Sequence, residues 1–182
     1  MPEFLPLFPL RLVVYPGQSL NLHIFEPRYK QLVNDCLDKE GYFGIPTFLN
    51  NEVQEFGCVV KILKVEKQYE KGEMDIRTEG NEVFRVLEVL KELPEKLYPG
   101  GIISPFGSPR FDKQGIYGRV AELVDKLHRT VGLENPVFDD YSKLQSYDLV
   151  KYIGLNLSQQ YELLSIKSEA KRQGLILEHL QN

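Results

Sequence analysis

The sequence predicts an α+β protein in which a β-rich half is followed by a small C-terminal bundle of helices. Between residues 20 and 90, several stretches alternate apolar and polar residues, which is the period of half-buried strands. From residue 116 onward the apolar residues instead recur every three to four positions, as on one face of a helix. We therefore expect a β-rich domain over 1–110 and a helical bundle subdomain over 111–182.

A strand runs directly into a helix over residues 20–37. Leu20, Leu22 and Ile24 alternate with more exposed positions, as in a strand with one face on a core. Pro27 ends the strand, because proline lacks a backbone donor but fits the first turn of a helix. The helix carries an apolar stripe: Tyr29, Leu32, Val33 and Cys36. Residues 25–28 therefore form a rigid corner between the two elements.

The other β elements are separated by proline and glycine signals. Prolines interrupt residues 4–15, which favours short extended pieces at a sheet edge or barrel seam. Pro16-Gly17 indicates a turn, and residues 42–49 read as a strand closed by Asn50-Asn51. Residues 56–90 are typical of a three-stranded antiparallel meander. Its turns are placed at Lys71-Gly72 and Gly80-Asn81.

Prolines and glycines are dense over residues 94–115, so we expect only one short strand there, at 101–104. A helix follows from Ile116 to Val131, where Gly132 stops it. Serines mark the starts of the next helices, because a serine side chain accepts a hydrogen bond from the first amides. The expected caps are Ser146, Ser158 and either Ser165 or Ser168.

Composition excludes several functional classes. The net charge of −4 argues against nucleic acid as the expected partner. No segment has the eighteen or so apolar residues of a membrane span, and the first residues do not resemble a signal peptide. Cys36 and Cys58 lie in apolar patterns, which favours buried thiols over a disulfide. We expect a cytoplasmic protein.

Motifs for catalysis are missing. No G-x-x-x-x-G-K-[ST] loop is present to hold nucleotide phosphates, so no ATPase activity is expected. His23, His128 and His179 are scattered without metal-ligand spacing. A Cys/His nucleophilic pair would require tertiary coincidence. We expect no catalytic residue, no metal and no cofactor, and hence no enzyme.

Three motifs together resemble the N-terminal, substrate-binding domain of Lon protease. They are Pro6-Leu7-Phe8-Pro9-Leu10, Pro16-Gly17 and Ile24-Phe25-Glu26-Pro27-Arg28-Tyr29. The resemblance implies a β-rich PUA-like pseudo-barrel with one packed helix, followed by the helical bundle. The family's ATPase and Ser-Lys protease domains have no counterpart in these 182 residues. We therefore expect a stand-alone, non-catalytic member of this family.

The corner has two interpretations. In the structural one, which we favour, Glu26 accepts hydrogen bonds from the first helix amides and Arg28 pins the corner to the sheet. In the functional one, part of the corner lines a groove for an extended peptide, because exposed Tyr and Arg often carry binding energy. The peptide-binding candidates are Phe25, Arg28 and Tyr29, with weaker claims for Tyr69, Arg77 and Arg85.

The resemblance implies a recognition function. We expect binding of exposed or unfolded polypeptide segments, with a role as an adaptor for an ATP-dependent protease acting in trans. The alternative is an RNA-binding PUA-like domain, which would need a basic stripe with interleaved aromatic residues. The natural ligand and the oligomeric state are left open by the sequence.

Overall fold

The protein folds as an α+β chain of two compact units, Met1–Ser108 and Pro109–Asn182. The computed structural model describes residues 1–107, 116, 118–132, 138 and 140–181. The predicted α+β class is confirmed, since a large antiparallel sheet precedes a set of helices. The predicted domain boundary at residue 110 lies outside the described residues, so the division into 1–110 and 111–182 stays a prediction.

The first unit is a six-stranded antiparallel sheet with one helix packed on it. Its elements are β1 (Glu3–Pro6), β2 (Ser19–Ile24), α1 (Pro27–Leu37), β3 (Tyr42–Leu49), β4 (Glu52–Gln68), β5 (Met74–Leu90) and β6 (Gly100–Gly107). The strand order is β1-β6-β5-β4-β3. Strand β2 pairs with residues 74–79 of β5, whereas β6 pairs with residues 83–90. The long strand β5 is therefore the centre of the sheet.

The sheet closes on itself through the residues that follow β1. Leu7 and Leu10 form parallel bridges to β3, and the amide of Phe8 donates to the Gly44 carbonyl over 2.8 Å. On the other side, the amide of Leu7 donates to the carbonyl of Pro99 over 2.9 Å. Strand β1 therefore pairs with β6, and the residues that follow it, up to Leu10, pair with β3. The expectation of short extended pieces at a barrel seam is confirmed.

Strand β5 corrects the prediction of a turn at Gly80-Asn81. The strand runs unbroken from Met74 to Leu90, and only the register with β4 shifts near Gly80. The amide of Gly17 donates to the Gly80 carbonyl over 2.7 Å, and a Cβ on Gly80 would lie 2.2 Å from the Tyr15 carbonyl oxygen. Glycine is needed here because another backbone crosses at contact distance. The predicted meander is therefore a two-stranded hairpin.

Helix α1 fills the core of this unit. Its predicted apolar stripe is buried, and Leu32 and Val33 are fully excluded from solvent. The stripe packs on side chains from four strands, including Ile24, Phe43, Val60 and Ile76. Burial of this apolar area is the main favourable term in the stability of the unit. The helix is therefore held rigidly, and so are both of its ends.

The described part of the second unit consists mainly of helices. The described elements are α2 (Gly118–Thr130), α3 (Ser146–Leu149), α4 (Leu157–Leu164) and α5 (Glu169–Gln181), with 3-10 turns at Tyr141–Lys143 and Val150–Tyr152. Two predicted caps are wrong. Asn156, not Ser158, caps α4 by accepting from the Gln159 amide over 3.0 Å. Gln145, not Ser146, is the cap residue of α3.

Ser146 is instead part of a buried polar network. Its amide and hydroxyl donate to the two carboxylate oxygens of Glu169, and Glu169 pairs with Arg172 at 2.7 Å. Arg172 also donates to the carbonyls of Ile166 and Lys167 and lies over the Tyr147 ring. Within the described residues, no buried side-chain polar atom lacks a partner. Because every group in the network has a partner, the network is accounted for by the fold of the helical unit and indicates no ligand site.

None of the helices that the structure describes is long and apolar enough to cross a membrane.

Candidate functional site

The sequence-predicted residues Phe25 and Tyr69 both contact the ring of His23 near the start of α1. The side chain of Phe25 is 58% exposed and stacks on the His23 ring at a centroid distance of 6.0 Å. The same imidazole meets the Tyr69 ring edge-on at 5.8 Å. We call His23, Phe25, Arg28 and Tyr69 the corner surface. It presents aromatic rings on the outside of the β-rich unit.

Asp75 fixes the geometry of the corner surface. One of its carboxylate oxygens lies 2.6 Å from Nδ1 of His23, and the other accepts a hydrogen bond from the Tyr69 hydroxyl over 2.7 Å. These bonds, first the one with His23, lower the pKa of the Asp75 carboxyl. The bond to Asp75 raises the pKa of the Tyr69 phenol. The rings are therefore held in place before any ligand binds.

Glu26 and Arg28 do not have the roles that the sequence predicts. The carboxylate of Glu26 makes no bond to the helix amides, although Glu26 occupies the N-cap position. It accepts instead from Nε of Arg28 over 2.9 Å, and the guanidinium lies 4.5 Å from the centre of the Tyr29 ring. Pro27 at the first helical position has no amide to offer, which removes one possible partner of the carboxylate. Arg28 thus pairs with its neighbour and not with the sheet.

Tyr29 lies in the core. Its side chain is 5% exposed, and its ring stacks on Phe8 at a centroid distance of 3.7 Å. Burial raises the pKa of its phenol. Tyr29 supports the corner surface from beneath and offers little of its own area to a ligand.

Arg77 and Arg85 are both exposed on β5 but are far apart. Arg77 is opposite Asn21 in register, two residues from His23, so it borders the corner surface. Arg85 lies eight residues further along, roughly 25 Å in an extended strand, and pairs with Glu55. The structure therefore groups Phe25, Arg28, Tyr69 and Arg77 at one end of the sheet and separates Arg85 from them. Their role in peptide binding stays a prediction.

A concave cleft, which was not among the predicted sites, lies at the other end of α1. Its volume is about 610 Å³. An α1 helix of 11 residues separates it from the corner surface by roughly 15 Å. We call it the seam cleft, and its lining is Phe4, Leu5, Pro6, Asp35, Cys36, Lys39, Glu40, Tyr42, Leu93, Lys96 and Tyr98. The only sequence signals for it are the exposed aromatic Phe4 and the strand-breaking Pro6.

One wall of the seam cleft is a turn anchored on α1. The side chain of Gln31 donates to the Glu95 carbonyl over 3.0 Å and accepts from the Leu97 amide over 2.7 Å. Asp35 accepts from Lys96 over 2.8 Å and from the Tyr98 hydroxyl over 2.6 Å. These four bonds join residues more than sixty positions apart, and they hold the wall in a fixed position.

The same contacts set the protonation states in the seam cleft. Burial would raise the pKa of the Asp35 carboxyl, but the bonds from Lys96 and Tyr98 outweigh it and lower the pKa. Burial raises the pKa of the Cys36 thiol to about 11, and its Sγ donates to the Tyr42 carbonyl over 3.3 Å. Cys36 is therefore a protonated wall residue at neutral pH and a poor nucleophile. The described residues contain no cluster of three side chains suited to a metal ion.

Comparison with known proteins supports the same architecture. The chain superposes on a Lon N-terminal domain protein from Xanthomonas campestris with a TM-score of 0.75 and 24% identity, covering 97% of this chain and 98% of that one. It superposes on the N-terminal domain of Lon protease from the Mycobacterium avium complex with a TM-score of 0.67 and 14% identity, covering 99% of each chain. At these identities the two structures establish a shared fold.

Sequence comparison adds a curated relative and a family. The chain is 25% identical to protein cereblon of Gallus gallus in an alignment of 113 residues. That alignment covers 53% of this chain and about a quarter of that relative's length. The model of the ATP-dependent protease La (LON) substrate-binding domain matches residues 4–182. That domain is the non-catalytic, substrate-binding part of the protease, and the resemblance predicted from the three motifs is confirmed. This chain therefore belongs to the family of LON substrate-binding domains.

Proposed function

We propose that this protein is a recognition module that binds exposed or unfolded polypeptide segments without catalysis. The observation that carries the proposal is the seam cleft, whose volume of about 610 Å³ lies within the range of ligand pockets in proteins. The family is one of substrate-binding domains. An apolar cleft is suited to the side chains that a folded protein buries and an unfolded one exposes.

The chemistry of the seam cleft favours apolar ligands. Phe4 is 50% exposed, and the partly buried Leu5 and Leu93 add further apolar area. Each apolar side chain that moves from water into such a cleft contributes roughly 25 cal/mol for every Å² removed from solvent. An unfolded segment would therefore be held mainly by one or two apolar side chains.

The corner surface supplies a second contact in this proposal. Phe25 and Tyr69 are held by His23 and Asp75, and pre-ordered aromatic rings lose little entropy on binding. The roughly 15 Å that α1 places between the two surfaces corresponds to four or five extended residues. One unfolded chain can therefore contact both surfaces, and its affinity would exceed that of either surface alone.

In finer detail, we propose that the protein is a cytoplasmic adaptor that presents polypeptides to an ATP-dependent protease, and that its β-rich unit is a PUA-like pseudo-barrel. RNA binding is less well supported, because three of the cations in the β-rich unit are already paired with carboxylates. Arg28 pairs with Glu26, Arg85 with Glu55, and Lys96 with Asp35. A phosphate backbone would have to displace these carboxylates.

Titration of the purified protein with a reduced, alkylated and permanently unfolded polypeptide tests the proposal. We expect saturable binding that weakens at least tenfold in Leu93→Asp, because a charge in the seam cleft opposes burial of an apolar side chain. The matched control is Leu87→Asp, which changes a half-exposed leucine on β5. Thermal unfolding of both variants checks that they are folded.

A parallel titration with structured RNA at two salt concentrations separates the alternatives. Salt-sensitive RNA binding together with no response to unfolded polypeptide would contradict the proposal and favour the RNA-binding function.

A further inference from the structure

Strand β1 has one paired edge and one edge that faces the seam cleft. In an antiparallel pair, successive residues direct their backbone groups to opposite sides. The amide of Leu7 donates to the Pro99 carbonyl, and this pair continues the β1-β6 register. The backbone N–H and C=O groups of the odd-numbered residues therefore point toward β6. Phe8, of even number, donates to β3 at Gly44. Phe4 has the same parity as Phe8, so its amide and carbonyl point away from β6.

Pro6 ends the hydrogen bonding between the first strand and β3. The amides of Leu10 and Phe8 donate to the carbonyls of Pro46 and Gly44, so the next acceptor along β3 is the Tyr42 carbonyl. Its donor would be residue 6, which is a proline and has no N–H. The Tyr42 carbonyl accepts instead from Sγ of Cys36. The hydrogen bonding between the two strands therefore stops at this point, and residues of both strands line the seam cleft.

The charges around the seam cleft cancel. Two lysines and two acids line it, and Asp35 is already bonded to Lys96 and Tyr98. The remaining pair, Lys39 and Glu40, is also balanced in sign. Because the signs balance, such a lining gives a ligand with a net charge no overall electrostatic advantage over an uncharged segment.

We propose that the seam cleft binds an extended, uncharged apolar segment of another polypeptide as an added strand along the edge of β1 at Phe4. This inference rests on the proposed function and gives it a binding mode and a substrate class. Backbone pairing with Phe4 supplies affinity for any sequence, and the apolar walls select the side chain that enters between Leu93 and Tyr42. Because side chains alternate along a strand, the preferred segment has apolar residues at every second position and contains no proline.

The ligand side is tested with a seven-residue peptide that carries one central leucine and has acetylated and amidated ends. Two isomers are compared with it, each with a single N-methyl group, on neighbouring amides. Neighbouring amides of a strand point in opposite directions, so only one isomer should lose affinity, by about tenfold or more in fluorescence anisotropy. Equal affinity of the two isomers, whether at the parent level or below it, would overturn strand pairing.

The protein side is tested with Pro6→Ala in the full chain. The new amide can donate to the Tyr42 carbonyl, which extends the ladder and closes the seam. We expect at least tenfold weaker peptide binding with no loss of thermal stability. The matched control is Pro9→Ala, which makes the same change outside the cleft lining and should bind like the parent. Unchanged affinity in a folded Pro6→Ala variant would overturn the assignment of the site.

These outcomes separate this inference from the proposed function. If unfolded polypeptide binds normally but neither the isomers nor Pro6→Ala differ from their parents, strand addition in the seam cleft is refuted and the recognition function stands. If no unfolded polypeptide binds at all, the recognition function itself is refuted. Analytical ultracentrifugation could also show a dimer that dissociates in Pro6→Ala but not when the peptide is added. That result would assign the edge to a second copy of the chain and would also overturn the proposal.

Discussion

The two ends of α1 present two different kinds of surface. At its start, the corner surface consists of aromatic and charged side chains on an exposed face, with Arg28 and Glu26 already paired. At its end, the seam cleft is concave, it is lined by apolar side chains beside two lysines and two acids, and it includes a backbone edge. The corner surface has the residue types expected of an interface, whereas the seam cleft has the shape of one. The comparison teaches that residue type and backbone geometry are separate indicators of a binding site.

The two ends also differ in the range of their contacts. Arg28 and Glu26 are two residues apart, whereas Asp35 reaches Tyr98 across 63 positions and Gln31 reaches Leu97 across 66. Local contacts follow from local sequence. Long-range contacts depend on the closed sheet, so the seam cleft exists only when the whole β-rich unit is folded.

The largest expected effect on stability is that of replacing Tyr29, which lies in the core and not on the corner surface. Tyr29→Ala should lower the free energy of unfolding by about 3–5 kcal/mol, because it removes a buried ring stacked on Phe8. Tyr29→Phe keeps the ring and should change stability by less than about 1 kcal/mol. Denaturant unfolding of both variants measures the difference. A small effect of the alanine variant would mean that Tyr29 belongs to the surface after all.

The next effect concerns Cys36 in the seam cleft. Its pKa of about 11 lies two units above the ordinary 9.0 of a cysteine thiol. The thiolate fraction at pH 8 is then about a hundredfold smaller than in a free peptide. Alkylation by iodoacetamide, followed by mass spectrometry, should be slower by at least that factor, and slower again with a bound peptide. Alkylation at the rate of the urea-unfolded chain would contradict the closed wall that the structure describes.

A smaller effect tests the wall of the seam cleft. Asp35→Asn weakens the bonds to Lys96 and Tyr98 and should destabilise the protein by about 1–2 kcal/mol at pH 7. The folded pKa of Asp35 lies below its unfolded value of about 3.9. Its contribution is therefore complete above that value and is lost as the pH falls through the folded pKa.

Urea unfolding at several pH values should accordingly show a difference between wild type and Asp35→Asn that is constant above about pH 5 and shrinks below about pH 4. Asp38→Asn is the control, because Asp38 is an exposed acid just beyond the same helix. A wild-type advantage that grows on acidification would contradict the lowered pKa.

The smallest effect on stability is expected at the corner surface. Arg28 and Glu26 are both partly exposed, so Glu26→Gln should change the free energy of unfolding by at most about 1 kcal/mol. Arg28→Ala should behave similarly, with a small extra loss of packing over Tyr29. The informative measurement is polypeptide affinity in these stable variants. A loss comparable to that of Leu93→Asp would place binding at the corner surface, and an unchanged affinity would leave it to the seam cleft.

The sequence predicts the elements whose signals are local. The strand-to-helix corner, the stripe on α1, the turn at Lys71-Gly72 and the tight link at Asn50-Asn51 all depend on residues a few positions apart, and the structure contains each of them. Gly80 was misread as a turn, because a glycine that permits a close backbone crossing looks the same in sequence as one in a turn. Ser146 was misread as a cap, because its partner Glu169 lies 23 residues away.

The candidate site was likewise predictable only where its signals are local. Phe25 and Tyr69 were selected by residue type, and the structure brings them together through His23, which no local pattern indicated. The seam cleft was missed entirely. Its walls come from the first strand, the end of α1 and the turn before β6, and only the closure of the sheet brings these segments together.

The closure of the sheet by the first strand also has a consequence for the folding of the protein during synthesis. Glu3 is opposite Ile103 in register, so β1 is synthesised a hundred residues before its partner in β6. Contacts of such high sequence separation fold slowly and leave apolar segments exposed in the meantime. Residues 3–6 therefore remain without their β6 partner until most of the β-rich unit has been translated. A destabilising change in this segment should lower the yield of folded protein in cells more than its effect on equilibrium stability suggests.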